Sequence, residues 1–337
     1  MQVELAQLRR TMSETYAPTR TTLVDSYFTR FSERSFRDDD IASLYHENTK
    51  YTDHDGLALG ESAGLFTDDP SIEYAQAAME PEYRNAPLIE LPAPEPLTQP
   101  IGEVFSNRRS RRTHSDCGLS RSHLSTLLGT ALGVTTERSI APSSDSADED
   151  AFTTVTKQFR AYASGGALYP IEFYIAVGPD GENLPAGLYY YVPEKHALRV
   201  LDTPKQSDSY PEIIAACFAT PEAVFDHTST AVTIFMTGAF SRTKAKYGPR
   251  GYRFVLQESG HAGQNILLTA EAMGLAALPL ASFYDDRVND YLGVDGVNEA
   301  VVGSISIGRR PEAETDGTQS QSQSQSQSTD QSISAHE

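Results

Sequence analysis

Residues 164–177 read SGGALYPIEFYIAV: a paired-glycine turn, a proline, then seven residues dominated by β-branched and aromatic side chains. The run after Pro170 predicts a strand, closed by Gly178-Pro179. Adjacent glycines let a backbone approach a flat ligand closely. Ser164 at the head of the turn offers a hydroxyl to a ring carbonyl. No G-x-x-x-x-G-K-[ST] phosphate loop occurs in the chain, and no G-x-G-x-x-G follows a strand.

Outward from this stretch, strands and helices do not alternate strictly. On the C-terminal side, Gly187 leads into LYYYV, and HALRVL follows the turn PEK. The continuous apolar run Thr230–Phe240 reads as a buried strand. Tyr252–Leu275 predicts one long helix stopped at Gly274, with small residues Ser259, Gly260, Ala262 and Gly263 suited to close packing. After it come ALPLASF and a last strand, AVVGSISIG. On the N-terminal side, residues 101–138 read as helical. Ser120 is the expected N-cap of a helix whose Leu124, Leu127, Leu128, Ala131 and Leu132 share one face. Residues 139–157 read as an acidic loop. The pattern predicts an α+β fold with helices packed on a mixed, mostly antiparallel sheet.

The 337 residues allow one large domain or two small ones. We read residues 1–95 as an N-terminal extension ending in a Pro-rich linker, 96–311 as the main domain and 312–337 as a disordered Gln/Ser tail. Weak helical patterning covers Met1–Arg10 and Asp39–His46. The prolines of LIELPAPEPLTQP (Leu88–Pro100) predict an extended arm.

Net charge is −19, from 27 Lys and Arg against 46 Asp and Glu, which disfavours broad nucleic-acid or anionic-membrane binding. Acidic excess with 6 Lys against 21 Arg resembles proteins of a salt-loaded, halophilic cytoplasm, an acidic mesophilic protein being the plainer reading. Salt at 1 M shortens the Debye length to ~3 Å and screens such self-repulsion. No run of 18 apolar residues and no signal-peptide h-region appear. A cytoplasmic location is expected. Cys117 and Cys217 are too few for a disulfide framework or a cysteine-rich zinc site, and Cys217 reads as a small core residue.

In Asn107-Arg108-Arg109-Ser110-Arg111-Arg112, four arginines fall within five positions of a strongly acidic chain. Alternate positions Arg108, Ser110 and Arg112 put three donors on one side of an extended segment. Guanidinium forks match phosphate oxygens, while a solvated basic surface is the plainer reading. His261 and Asn265, four apart on the long helix, lack the further ligands of a metal site and read as core or interface hydrogen-bonders. Tyr189, Tyr190 and Tyr191 read as packing residues.

The order LPAPEPL, RRSRR, LSTLLGTALGVT, SGGALYPIEFYIAV, GLYYYVPEKHAL, AKYGPRGYRFVLQESGHAGQNILLTAEAMGL, SISIG resembles the flavin-dependent nitroreductase superfamily. Within it the chain is similar to the SagB-type dehydrogenases, which include azoline oxidases. The resemblance spans residues 88–311 and extends to LYHENTK (Leu44–Lys50). It implies a nitroreductase-like FMN-binding fold and FMN as cofactor. Arg108, Ser110 and Arg112 would hold its phosphate and ribityl chain, with Arg309 a further phosphate ligand. Ser164, Gly165 and Gly166 would lie against the isoalloxazine ring, and the loop Pro279-Leu280-Ala281-Ser282 near its N5. Relatives often carry Glu-Gly where this chain has Ala281-Ser282. The family's Lys-Tyr pair falls on Lys246-Tyr247, with Lys246 as the base that removes a ring proton and Tyr247 holding the proton or orienting the ring. The plainer reading is a surface pair in the loop SRTKAKYGPRG. The implied activity is dehydrogenation of thiazoline or oxazoline rings in a modified peptide. The implied partners are a second copy of the chain and a cyclodehydratase. Alternatives are an NAD(P)H-dependent nitro or quinone reductase, and a non-catalytic docking subunit of a peptide-modifying complex.

Overall fold

The computed structural model describes residues 41–51, 83, 85–115, 118–140, 155–179, 184–202 and 210–311. Cys117, the Met1–Arg10 patterning and the 312–337 tail lie outside them. The chain divides into two units, Met1–Asp53 and His54–Glu337. In the first, α1 (Ile41–Asn48) carries the LYHEN motif, and the Asn48 amide donates to the Leu44 carbonyl at 2.7 Å.

The second unit is built on a seven-stranded sheet. Its strands are β1 (Leu88–Glu90), β4 (Ile171–Val177), β5 (Gly187–Val192), β6 (Ala197–Asp202), β7 (Val232–Ala239), β8 (Leu275–Leu280) and β9 (Glu299–Arg309). Their order is β1-β6-β5-β4-β7-β9-β8, and every pairing is antiparallel. A mostly antiparallel sheet was expected; the described one is wholly so.

Both faces of the sheet are covered, so its central strands read as apolar runs rather than alternating ones. All seven residues of β4 are buried. On one face, Ile171, Phe173, Ile175, Tyr189 and Tyr191 pack with α3 (Arg121–Leu132) and α6 (Gly251–Ala272). On the other, Tyr174, Ala176 and Tyr190 pack with α4 (Tyr210–Cys217) and α7 (Asp285–Leu292). The three consecutive tyrosines therefore serve two cores. Cys217 is buried in the second, and burial pushes its thiol up to about 11.

The Ser120 hydroxyl accepts from the His123 N–H at 3.1 Å, capping α3, and all five apolar residues expected on its inner face are buried. Ser120→Ala removes this acceptor, and chemical denaturation is expected to show a loss of about 1 kcal/mol. Helix α6 ends just before Gly274, whose φ of +71° suits the left-handed turn that follows.

Four local expectations change. Val134–Ile140 is strand β2, paired with β3 (Val155–Arg160) in a separate two-stranded ribbon. Those residues were read as helix and acidic loop because their Thr, Glu, Arg and Lys hide any apolar alternation. Leu88–Pro100 is extended, but strapped to the body: Leu88 to Glu90 pair with β6, and the Glu95 N–H donates to the Thr126 hydroxyl at 3.0 Å. The loop SRTKAKYGPRG is mostly helix α5 (Phe240–Tyr247). Pro279 and Leu280 belong to β8, which leaves Ala281-Ser282 as the start of the following loop.

Candidate active site

The turn at Ser164–Tyr169 is backbone-strained. Gly166 has φ +67°, and Ala167 and Tyr169 adopt left-handed φ of 53° and 46° without being glycine. Such conformations cost about 1–3 kcal/mol each and persist where the surroundings hold them. Here the holding contacts are explicit. The Ser164 hydroxyl accepts from the Tyr169 N–H, and the Tyr169 hydroxyl accepts from the Arg160 N–H, both at 2.9 Å. The Arg160 guanidinium sits 4.9 Å from the Tyr169 ring centroid, a cation–π contact. The Lys157 ammonium donates to the Gly166 carbonyl at 3.3 Å, tying the ribbon to the turn.

Glycine at 166 is favoured on two counts. Its φ disfavours a side chain, and a Cβ there would stand 2.7 Å from Tyr247 Oη and 3.1 Å from Lys246 Nζ. The structure thus brings the Ser164-Gly165-Gly166 turn and the Lys246-Tyr247 pair into one place. Lys246 and Tyr247 are half-buried on the last turn of α5, not on a loop. The Lys246 ammonium lies 5.7 Å from the Tyr247 ring centroid, and Phe254 of α6 meets that ring edge-on at 4.8 Å.

Arg242, one turn before Lys246 on α5, locks this helix to the sheet. Its guanidinium pairs with Glu172 of β4 and donates to the Tyr169 carbonyl at 2.8 Å. The Tyr190 hydroxyl donates to the other Glu172 oxygen at 2.5 Å. Arg242 therefore spans both halves of the site, the helix that carries Lys246 and the turn that faces it. Glu172 stands out in sequence as the one charged residue of an otherwise apolar strand, a signal that the pattern reading passed over.

Glu258 of α6 was also missed. Its signal is a carboxylate on the helix's buried, small-residue face, beside Val255, Ser259 and Ala262. It accepts from the Gly165 N–H at 2.9 Å. Burial raises its pKa, opposed by hydrogen bonding from Ser164 and the Gly165 N–H and by the charges of His261 and Arg160.

The basic arm lies along the other end of the sheet. After α2 (Ile101–Asn107) the chain runs extended, and the Arg111 N–H donates to the Ala277 carbonyl of β8 at 3.0 Å. The Arg111 side chain turns toward buried Glu271, 3.9 Å away, which also takes Arg310 at 2.7 Å. Arg109 folds onto the Ser106 and Arg108 carbonyls. The side chains of Arg108, Ser110 and Arg112 engage no partner among the described residues, and Ser110 and Arg112 are exposed. Two guanidinium groups and a hydroxyl with unused donors fit a phosphate-bearing cofactor. Arg309 ends β9 beside this arm: its carbonyl accepts from the Ser115 N–H, and its Nε donates to the Gly118 carbonyl at 3.1 Å.

Ser282 is tied to the loop after α4. Its carbonyl accepts from the Ala219 N–H at 2.7 Å, and its hydroxyl meets that of Thr220. Exposed His261 meets the Ala163 carbonyl through Nδ1 at 3.1 Å, and Asn265 donates to the Ala131 and Ala161 carbonyls. His261 is thus a surface residue rather than a core one, and both side chains brace the approach to the turn.

Comparison with known proteins follows the same outline. The model of the nitroreductase family matches residues 105–309. A protein of Methanocaldococcus jannaschii described as a nitroreductase is 30% identical over 207 residues, covering 61% of this chain and 89% of its own length. The microcin B17-processing protein McbC of Escherichia coli is 32% identical over 139 residues, 40% of this chain and 49% of McbC. A solved structure described as a nitroreductase from Anabaena variabilis superimposes with a TM-score of 0.57 at 26% identity, covering 79% of this chain and 46% of that one. The chain thus spans about half the length of McbC and of the Anabaena protein.

Proposed function

The chain belongs to the nitroreductase family of oxidoreductases, and from that premise we propose that it is an FMN-dependent dehydrogenase of azoline rings in a modified peptide. The observation that carries this reading is the approach of Lys246 Nζ and Tyr247 Oη to Gly166. Similarity to McbC supports the peptide substrate. Residues 96–311 form the cofactor-binding domain, acting as a homodimer in a halophilic cytoplasm with a cyclodehydratase as upstream partner.

Arg108, Ser110 and Arg112 would hold the FMN phosphate and ribityl chain, with Arg309 beside them. Ser164, Gly165 and Gly166 would lie against the ring, and Leu280, Ala281 and Ser282 would approach its N5. Bound flavin supplies the hydride acceptor. Lys246 would take the proton from the neighbouring ring carbon, so that two hydrogens leave the azoline and a ring double bond forms. Tyr247, packed against Phe254, orients the heterocycle over the turn.

The test begins with the visible spectrum of protein purified in molar KCl and identification of any released cofactor. Stoichiometric FMN is expected, and a folded, colourless protein that refuses added FMN would overturn the reading. The Arg108→Ala/Arg112→Ala double variant is expected to raise the FMN Kd by about 10–100-fold in a fluorescence titration, since charge-assisted bonds are each worth about 1.5–3 kcal/mol and are partly screened here. An unchanged Kd would place the phosphate elsewhere.

A second reading, an NAD(P)H-dependent reductase of nitro or quinone compounds, is favoured by the match over 89% of the M. jannaschii protein. Fast flavin reduction by NAD(P)H, with no turnover of an azoline peptide, would select it.

A further inference from the structure

Glu258 is 1% exposed and meets the turn at Gly165, while Lys246 meets it at Gly166. One carboxylate oxygen takes the Gly165 N–H at 2.9 Å, and the other has no hydrogen-bond partner among the described residues. A Cβ on Gly165 would meet Glu258 Oε1 at 3.7 Å and the Phe254 ring at 3.6 Å; one on Gly166 would meet Tyr247 and Lys246. The paired glycines therefore meet α6 at Gly165 and the end of α5 at Gly166. Phe254, four residues before Glu258, packs edge-on against Tyr247 and lies beside the place where a side chain at Gly165 would stand, linking the two contacts.

A buried carboxylate is costly to place and is normally fully paired. Nothing in the helix needs an acid here, because the neighbouring buried positions are filled by small and apolar residues. What the carboxylate does contact is Ser164 and the Gly165 N–H of a turn with three left-handed residues, a conformation that needs outside support.

We propose that Glu258 is the positioning residue of this turn. By accepting the Gly165 N–H, it fixes Gly166 at the distance from Lys246 Nζ and Tyr247 Oη that the site requires. The acceptor oxygen does this work, so glutamine, which keeps a carbonyl oxygen, can substitute and alanine cannot. The role of the site rests on the function proposed above; the role of Glu258 in the turn does not.

Two measurements separate these. In the cofactor-free protein, amide hydrogen exchange at Gly165 is expected to speed up by at least tenfold in Glu258→Ala and to stay within a few-fold of wild type in Glu258→Gln. With FMN and an azoline peptide, Glu258→Ala is expected to lower kcat by tenfold or more with little change in KM, and Glu258→Gln to recover most of it. Unchanged Gly165 exchange in Glu258→Ala would overturn the positioning role. So would a Glu258→Gln variant, folded by circular dichroism, whose Gly165 exchanges much faster than wild type. That second variant decides the matter if Glu258→Ala does not fold. The expected exchange result without azoline turnover in the wild-type protein would leave Glu258 in place and remove the azoline reading instead.

Discussion

Under the proposed function, Lys246→Ala is expected to lower azoline oxidation by about 10²–10⁴-fold, the range of a positioned general base, with FMN content expected to stay at the wild-type level. The argument is geometric. Lys246 ends α5, is half-buried, and stands within van der Waals reach of where a Gly166 side chain would begin. Lys244, two residues earlier on the same helix but exposed, serves as the control. Lys244→Ala removes the same charge from α5 and is expected to leave turnover within a factor of two. Stopped-flow reduction of the bound flavin by substrate reads the chemical step directly. A Lys246→Ala enzyme that reduces its flavin at the wild-type rate would sink the proposed role.

Arg242→Ala is expected to lower global stability by about 3–5 kcal/mol, the usual cost of removing one partner of a buried ion pair. Arg242 is 14% exposed and Glu172 5% at the side chain, so water cannot take over the lost contact cheaply. The variant leaves the Glu172 carboxylate with the Tyr190 hydroxyl and deprives the Tyr169 carbonyl of its donor. Glu172→Leu combined with Arg242→Met removes both charges and is expected to recover much of the loss, because the cost arises from the orphaned partner. Urea denaturation in molar KCl measures both variants. A loss below about 1 kcal/mol in Arg242→Ala would mean that the pair adds nothing beyond a surface contact.

What the sequence discloses and what it conceals follow one physical line. Elements whose burial is one-sided or complete announce themselves. The face of α3 appears through Leu124, Leu127, Leu128, Ala131 and Leu132, and β4 through an unbroken apolar run. The ribbon β2–β3 does not, because Thr135 to Ser139 are exposed and nothing apolar marks the period. Helix α5 is concealed for a related reason: it has one buried residue, Thr243, and Gly248-Pro249 directly after it mimic a loop. Among the site residues, the Arg108–Arg112 run is visible as a charge anomaly, and the paired glycines as a backbone anomaly. Resemblance to relatives pointed to Lys246-Tyr247, but local pattern could not place the pair on a helix against the turn. Arg242 and Glu258 stayed hidden because their partners, Glu172 and Gly165, lie 70 and 93 positions away. Only folding makes them neighbours, although a lone acid on an apolar strand or helix face is the trace each contact leaves.

The extended run Arg111–Ser115 carries a consequence for solubility. Strand β8 is the last in its sheet, and an open last strand offers its unpaired amides and carbonyls to any second chain. Here the Arg111 N–H occupies the Ala277 carbonyl on that border, and Ser115 is bridged to Arg309 at the end of neighbouring β9, so the arm covers one point of the edge and is tied down beside it. The same few residues present Arg112 outward and turn Arg111 inward to Glu271. Guarding the sheet against stray pairing and displaying cations to an anion are thus one piece of backbone.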